Sequence, residues 1–368
     1  MIYILEIMFL IIGLAFVAVA VAKPENKNKN FGPLIKEDEF YEGGPPPDGI
    51  PSIDSPVFME IEEACEWLAE REPVVVLNYQ GEVRAYPLQV LIWHEIVNDQ
   101  INDNPVALTF SATSNSGVAM NRWVDQRILE FGTTGKLYKG STVMYDRQTR
   151  SMWLHYNGLC VRGKLTGAKL NLIPVSTVSF QDYRLTYPGG KVLSRQTGYK
   201  RKYGRNPYIL YGRSDERPFI YEGNLDSRLL PKERVVGIYY GDGAIAYPYS
   251  LFRHQGEKAV IHDYIKDSSI VIFYSRGTNS VVDAASIRYS RDVGATGVYL
   301  PFVKGKKLRF YPVQEGFKDK ETGSLWSLLG KCLKGPLRGI ILTPVEHLDS
   351  FWFAWAAHYP ETKICNNN

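Results

Sequence analysis

The sequence has few of the residues from which common metal and redox sites are built. It contains four cysteines and six histidines in 368 residues. Neither type recurs at a metal-ligand spacing, and there is no His-x-His or His-Glu-x-x-His motif. The net charge is only +4, without the concentrated basic stripe of a nucleic-acid-binding protein. The sequence therefore gives no signal for a zinc site or a nucleic-acid partner.

Long apolar runs are also missing, except at the N-terminus. Residues 1–22 carry one charge, Glu6, and end in the small residues AVAVA. This pattern is typical of a signal peptide, although about 20 apolar residues can also span a bilayer as an anchor. We predict that 1–22 is a signal peptide or membrane anchor and that the protein is extracytoplasmic, either secreted or membrane-anchored. If the segment were retained as an anchor, the lysines that follow it would favour the opposite orientation, with the folded domain in the cytoplasm.

The chain contains a long internal repeat. The segment 72–88, EPVVVLNYQGEVRAYPL, returns at 233–249 as ERVVGIYYGDGAIAYPY, and 146–167 is echoed by 319–339 in the same order. The two repeated units are roughly 130 to 145 residues long, far longer than the repeats of solenoid proteins. They predict a duplicated domain or two pseudo-symmetric halves.

Short β-branched or aromatic runs bounded by Gly, Asp and Pro predict most of the regular structure. The predicted strands cover 74–79, 106–110, 235–240 and 270–274, and helical spacing predicts helices over 61–69, 88–97 and 348–357. The expected fold is mainly β or α+β, with two pseudo-symmetric duplicated halves joined by a long ordered linker. Its parts are a flexible linker over 23–51, repeat unit 1 over 52–194, a Tyr/Arg-rich connection over 195–230 and repeat unit 2 over 231–368.

Three serines and an asparagine directly after a predicted strand are candidate site residues. They are Ser111, Ser114, Asn115 and Ser116, and His94 lies shortly upstream. A hydroxyl in this place can act as a nucleophile if a base converges on it. The segment lacks the Gly-x-Ser-x-Gly elbow, however, and such residues often form turns by bonding to their own backbone. His94 can equally be a ligand, a base, or a half-buried histidine whose nitrogens bond to backbone groups.

A second set of candidates combines tyrosines and arginines, which can grip an anion or a sugar by bidentate bonds and stacking. Its members are Tyr145, Asp146, Arg147, Arg195, Tyr199, Tyr203 and Arg205. The alternative is a structural lattice in which an Asp146–Arg pair and tyrosine hydroxyls pin the connection across both halves. If a ligand binds, we expect it in the groove between residues 111–116 and the connection.

Cys160 and Cys332 occupy equivalent places in the two repeat units. Equivalent residues can approach each other near a pseudo-twofold axis, so the pair is a candidate disulfide in an oxidising compartment. The alternative is two small buried apolar residues.

Several motifs occur in one order along the chain, among them GGPPPDGIPSID, AYPLQVLIWHEIVND, VMYDRQTRSMW, LSRQTGYKRKYGRNPY and SFWFAWAAHYP. Together they resemble the domain of unknown function 3179 family over about residues 43–366. The resemblance implies no settled activity, and it implies an exported or membrane-anchored protein. Many members carry Cys-x-x-Cys, a spacing suited to thiol exchange or a soft metal, where this chain has Ser111 and Ser114.

Two functional hypotheses follow. The first is an exported or membrane-tethered protein that binds a small molecule or a protein partner. The alternative is an enzyme: a thiol-redox or metal-handling protein inactivated by Ser111 and Ser114, or a hydrolase that uses His94 and a serine. The sequence assigns no cofactor.

Overall fold

The computed structural model describes residues 32–241 and 243–366. The predicted signal peptide or anchor at 1–22 lies outside them, as do residues 23–31 of the predicted linker. The described residues are mainly β-strand, which confirms the predicted class. None of the helices among them is long and apolar enough to cross a membrane.

The strands fall into two sets, one on each side of the connection 195–230. The first set is β1 (Tyr41–Glu42), β2 (Phe58–Glu60), β3 (Pro73–Tyr79), β4 (Glu82–Pro87), β5 (Ile96–Ile101), β6 (Asn104–Ser111), β7 (Ser116–Asn121), β8 (Trp123–Val124), β9 (Arg127–Ile128), β10 (Phe131–Tyr138), β11 (Ser141–Asp146), β12 (Met152–Leu154), β13 (Cys160–Arg162), β14 (Leu172–Ile173), β15 (Ser176–Ser179) and β16 (Lys191–Leu193). The second set is β17 (Arg234–Tyr239), β18 (Ala244–Pro248), β19 (Lys258–Ile265), β20 (Ser268–Ser275), β21 (Ala295–Leu300), β22 (Phe302–Val303), β23 (Lys306–Lys307), β24 (Phe310–Val313), β25 (Gly316–Asp319), β26 (Leu325–Trp326), β27 (Cys332–Lys334), β28 (Thr343–Pro344), β29 (Leu348–Phe351) and β30 (Lys363–Ile364).

Helices are few and short. They are α1 (Ile61–Ala64), α2 (Leu88–Leu91), α3 (Phe180–Thr186), α4 (Tyr249–Arg253) and α5 (Trp352–His358), with 3₁₀ turns at Glu37–Glu39 and Ile287–Tyr289.

The two sets have corresponding sheet topologies. In the first set the orders are β15-β3-β4-β16-β2, β14-β7-β6-β5 and β1-β10-β11-β12-β13. In the second set they are β29-β17-β18-β30, β28-β21-β20-β19 and β24-β25-β26-β27. The parallel pair β4–β16 corresponds to the parallel pair β18–β30, and all other ladders within these sheets are antiparallel. Common origin by duplication stays a prediction.

Strand β3 shows why these runs become central strands. Alternate side chains point to opposite faces of a strand, and here both faces are buried. Val75 and Leu77 belong to one hydrophobic core, whereas Val74 and Val76 belong to another. Each core also contains side chains of the second set: Phe351 and Trp352 in the first, Val271 and Phe273 in the second. The two sets therefore share their cores.

A buried carboxylate fixes the same turn in each set. The Asp146 carboxylate accepts hydrogen bonds from the Trp153 indole at 2.9 Å and from the backbone N–H three residues on at 2.5 Å. The Asp319 carboxylate accepts from the Trp326 indole at 2.9 Å and from the corresponding N–H at 2.6 Å. Both aspartates are fully buried, so each supplies the acceptor that its tryptophan and turn need.

The predicted flexible linker is wrong where the structure describes it. Residues 32–51 pack against the first set: Ile35 and Phe40 are buried, the Leu34 N–H donates to the Val161 carbonyl at 2.9 Å, and β1 pairs with β10. The few apolar side chains of this segment keep it packed on the first set because β1 also forms backbone hydrogen bonds with β10. The folded part therefore begins before Ser52.

The corresponding edge of the second set has no added strand among the described residues. Strand β24 is the edge of its sheet. The N–H of Phe310 on this strand donates to Nε2 of His262 at 3.0 Å, and the strand also contains Pro312.

The predicted strands are confirmed in β3, β6, β17 and β20, but the predicted helices are too long. The helix expected over 88–97 ends at Leu91; Glu95 has φ 59°, and β5 starts at the next residue. A left-handed residue stops a helix, and pairing with β6 holds the rest as a strand. Likewise the helices expected over 61–69 and 348–357 occupy only α1 and α5.

The connection 195–230 contains no regular helix or strand, yet hydrogen bonds fix it to the second set. The N–H of Asn206 donates to the Ala285 carbonyl at 3.1 Å, and that of Leu210 to the Asp283 carbonyl at 2.7 Å.

Candidate functional site

The candidate serines lie on the hairpin that joins β6 to β7. Ser111 and Ser116 are opposite each other in the ladder, and Asn115 adopts a φ of 53° in the turn between them. Ser111, Ser114 and Ser116 are each 0% exposed. The hairpin therefore directs its hydroxyls into the protein.

The Ser116 hydroxyl contacts a histidine that the sequence gave no reason to select. Its Oγ lies 2.9 Å from Nε2 of His155, whose Nδ1 lies 2.7 Å from the Thr109 hydroxyl. Thr109 donates to the Val118 carbonyl, so it accepts from Nδ1–H, and Nε2 accepts from Ser116. The Ser114 hydroxyl lies 2.7 Å from that of Ser116. Burial lowers the pKa of His155 to about 3, which keeps this imidazole neutral.

Ser111 bonds to a different group of side chains. Its Oγ accepts from the Thr142 N–H at 3.2 Å and lies 3.1 Å from the Thr113 hydroxyl. The Thr142 hydroxyl lies 3.3 Å from a carboxyl oxygen of Glu95. Burial raises the pKa of Glu95 to about 7, so this carboxyl is partly protonated near neutral pH.

The hairpin has the contacts of a structural network. A nucleophile must be reachable by its substrate, but Ser116 and His155 are at most 1% exposed. A threonine occupies the place at Nδ1 where a catalytic triad has a carboxylate. These hydroxyls therefore bond to one another, to His155 and to β11.

The structure does not bring His94 together with any of these serines, which the hydrolase hypothesis requires. Its Nδ1 lies 2.7 Å from the Pro51 carbonyl and its Nε2 lies 2.7 Å from the Tyr203 hydroxyl. The ring centroid is 5.5 Å from that of Tyr199. Burial lowers the pKa of His94. Both nitrogens are thus engaged in packing the connection onto the first set.

The arginines of the connection lie away from the hairpin. Arg195 donates to the Gln89 side chain at 3.0 Å and stacks on Trp67 at 4.5 Å, and the Arg205 carbonyl accepts from the Trp93 indole at 3.1 Å.

The connection meets the hairpin instead through Tyr211, whose hydroxyl donates to the Thr113 carbonyl at 2.8 Å. Tyr211 is 7% exposed. Its buried ring therefore fills space where we expected a groove.

Tyr145, Asp146 and Arg147 bond to other residues of the protein. The Tyr145 hydroxyl donates to Asp48, and Arg147 pairs with Asp54 at 2.6 Å. The predicted Asp146–Arg pair is wrong because the Asp146 carboxylate already bonds to an indole and a turn. Tyr145 and Arg147 thus hold the N-terminal segment.

The structure does not join Cys160 to Cys332, and all four thiols are free. Each sulfur lies against a carbonyl of its own strand, Arg162 at 3.6 Å and Lys334 at 3.4 Å. The two residues belong to different hydrophobic cores. Burial raises the pKa of Cys160 to about 12. Cys160 and Cys332 are therefore small buried residues, as the alternative to a disulfide predicts.

A cleft of about 340 Å³ lies between the two strand sets. Four of its side chains are aromatic: Tyr156, Tyr239, Trp355 and Tyr359. Trp355 packs so closely on β17 that Gly237 has no room for a Cβ. Tyr239 and Tyr359 also line an adjoining cavity of about 720 Å³.

Two histidines in this cleft have a buried ring nitrogen without a hydrogen-bond partner: Nε2 of His347 and Nε2 of His358. Nδ1 of His347 lies 2.8 Å from the Val345 carbonyl, which can only accept, so Nδ1 carries a proton. The His358 ring stacks on Tyr156 with centroids 4.0 Å apart. Burial, with the nearby charge of Lys139, lowers the pKa of His358 to about 3, so this ring is neutral.

Lys169 and Glu346 bring opposite charges to the same cleft. Burial raises the pKa of Glu346, and the charge of Lys169 opposes that shift. The cleft therefore combines aromatic rings, two imidazole nitrogens and one pair of charges. In the described part of the chain, no group of three His, Cys, Asp or Glu side chains could hold a metal ion.

A family model described as a protein of unknown function, DUF3179, matches residues 47–362. The chain belongs to the DUF3179 family. No curated protein and no solved structure is significantly similar to it. The match includes every residue of the cleft and all strands of the two sets except β1 and β30.

Sequence reasoning about this DUF3179 protein missed the cleft and selected the hairpin. The cleft histidines His347 and His358 belong to no metal or catalytic motif, and the side chains that surround them come from distant segments. One signal was available: Tyr156 lies within the repeated segment 146–167, and His358 lies within the motif SFWFAWAAHYP.

Proposed function

We propose that this protein binds a small neutral ligand rich in hydroxyl groups, of the size and chemistry of a sugar, in the cleft between the two strand sets. The observation that carries the proposal is the pair of buried, unpartnered Nε2 atoms of His347 and His358 in an aromatic-lined cavity. Buried polar atoms ordinarily have partners, and a hydroxyl group, which both donates and accepts, can satisfy either nitrogen.

The rest of the lining supports the same ligand class. Ligand pockets of about 300–1,000 Å³ are typically apolar with a few placed polar groups, and this cleft of about 340 Å³ has that composition. Tyrosine and tryptophan supply flat apolar faces together with polar edges, which suits the C–H face and hydroxyl rim of a sugar ring. The charges of Lys169 and Glu346 offset each other, which favours a neutral ligand over an ion.

We also propose that binding takes place outside the cytoplasm, in a secreted or membrane-tethered protein. The support is the apolar segment 1–22 with its small-residue end. Intact mass of the protein purified from its native compartment tests this, because cleavage removes about the first 22 residues and a retained anchor does not.

Saturation-transfer NMR with glucose, galactose and N-acetylglucosamine as separate probes tests the ligand. We expect signal transfer to at least one sugar, and its loss in H347F and in H358F, which keep a ring but remove its nitrogens. The matched control is H254F, because His254 is exposed and outside the cleft. Absence of transfer to all three sugars, or equal transfer in the cleft variants, would contradict the proposal.

A further inference from the structure

A second, much smaller cavity lies where the β6–β7 hairpin meets the second strand set. It has room for about 10 Å³ of water-sized contents. The first set contributes Phe110, Asn115 and Thr177 to its wall, and the second set contributes Arg234, Thr278 and Asn279. Asn115 and Asn279 occupy corresponding places in the repeated sequences SNS and TNS.

Three polar atoms of the second set are buried around this cavity without a partner. They are Nε of Arg234, Oγ1 of Thr278 and Oδ1 of Asn279. Thr278 and Asn279 are only 1% and 2% exposed. Buried polar atoms left unpaired are unfavourable, and several around one cavity indicate a bound polar species.

The orientation of the Asn279 amide is fixed by its other contacts. Its Nδ2 donates to the carbonyls of Ile287 at 3.3 Å and Arg288 at 3.0 Å. The unpaired atom is therefore the carbonyl oxygen, an acceptor, whereas Arg234 Nε can only donate. The species in the cavity must accept one hydrogen bond and donate another.

We propose that this cavity is a binding site for a single water molecule. The water accepts from Arg234 Nε–H and donates to Asn279 Oδ1, and the Thr278 hydroxyl can serve its remaining donor or acceptor. A buried water needs a cavity of roughly 10–15 Å³ and two to four polar partners, and this cavity offers about 10 Å³ and three. A halide ion has no proton to donate to Asn279, so the charge of Arg234 does not make this an anion site.

The site lies at a contact between the two strand sets. Asn115, in the turn of the first hairpin, lines the cavity together with Asn279. The water therefore completes the polar surface on which the hairpin rests, independently of any ligand in the aromatic cleft.

A high-resolution crystal structure of the full chain soaked in bromide tests the proposal directly. We expect one peak within hydrogen-bond distance of Arg234 Nε, Thr278 Oγ1 and Asn279 Oδ1, without anomalous signal. Anomalous bromide density in the cavity, or a cavity without density, would overturn it.

Water ¹⁷O relaxation dispersion provides a second measurement in solution, because it counts long-lived internal waters. We expect T278V, which keeps the shape of the side chain, and N279L each to lose one such water relative to the natural protein. The control N224L changes an exposed asparagine and should keep the full number. Unchanged counts in both cavity variants, each shown to be folded by circular dichroism, would refute the site.

Discussion

His358 should make the protein less stable in mild acid. Its folded pKa is about 3, against 6.5 for an ordinary histidine. Between these values the unfolded chain binds a proton that the folded chain does not, so stability falls as the pH falls through 6.5. At pH 5 the two pKa values correspond to about 2 kcal/mol lost from the free energy of unfolding, and at pH 7.5 to almost none.

The substitution H358F isolates this effect because phenylalanine keeps a ring on Tyr156 but cannot titrate. The free energy of unfolding should be measured by urea denaturation with tryptophan fluorescence at pH 7.5 and pH 5.0. Between pH 7.5 and pH 5.0, the free energy of unfolding of H358F should rise by about 2 kcal/mol relative to that of the natural protein. Any packing change and all other titrating groups are common to both comparisons and cancel.

The control for this measurement is H254F, which removes an exposed histidine and should leave the pH dependence nearly unchanged. If H358F follows the same pH dependence as the natural protein, the ring is not held neutral in the folded state. If H254F produces the same gain as H358F, burial is not the cause.

Three other predictions follow from the buried groups. Cys160 and Cys332, both buried, should not react with DTNB in the folded protein, whereas the other two thiols should; reaction of all four without denaturant would contradict the structure. Glu95 has a folded pKa of about 7 against 4.5 for an ordinary glutamate, so its ionisation destabilises the folded natural protein as the pH rises. The stabilisation of E95Q relative to the natural protein should therefore be about 3 kcal/mol larger at pH 8 than at pH 4; parallel pH profiles of the two proteins in urea denaturation would refute this. D146A and D319A should each lower the free energy of unfolding by about 3–5 kcal/mol, since each leaves a buried indole and turn without an acceptor; a loss under about 1 kcal/mol in either would show that its carboxylate is dispensable.

The strands were predictable because their local sequence alone identifies a buried strand. The run 74–77, VVVL, is apolar and continuous, as a strand buried on both faces requires. The segment 88–97 was not predictable: its apolar spacing is helical, but Glu95 takes a left-handed conformation and the following residues pair with β6. Such pairing depends on residues distant in the sequence, which local periodicity does not report.

The candidate site was harder to predict than the fold. Ser111 ends β6 and Ser116 begins β7, but whether their hydroxyls face solvent or the core depends on what packs against the hairpin, and here Tyr211 does. The cleft arises only when the two strand sets dock, which brings Tyr156 against His358 across about 200 residues of sequence. No motif records such a contact.

The two sheet edges described above bear on self-association. An open edge presents a row of N–H and C=O groups on which a strand from another copy can align, the usual start of sheet-mediated aggregation. In the first set β1 pairs with Lys136 and Leu137 of β10 and becomes the edge itself, only two residues long, and a very short edge strand is a poor template. In the second, the imidazole of His262 occupies the N–H of Phe310, and Pro312 has no N–H to offer. The protein thus guards equivalent edges by different means, one by adding a strand and the other by withholding donors, and neither edge is a ready template for another chain.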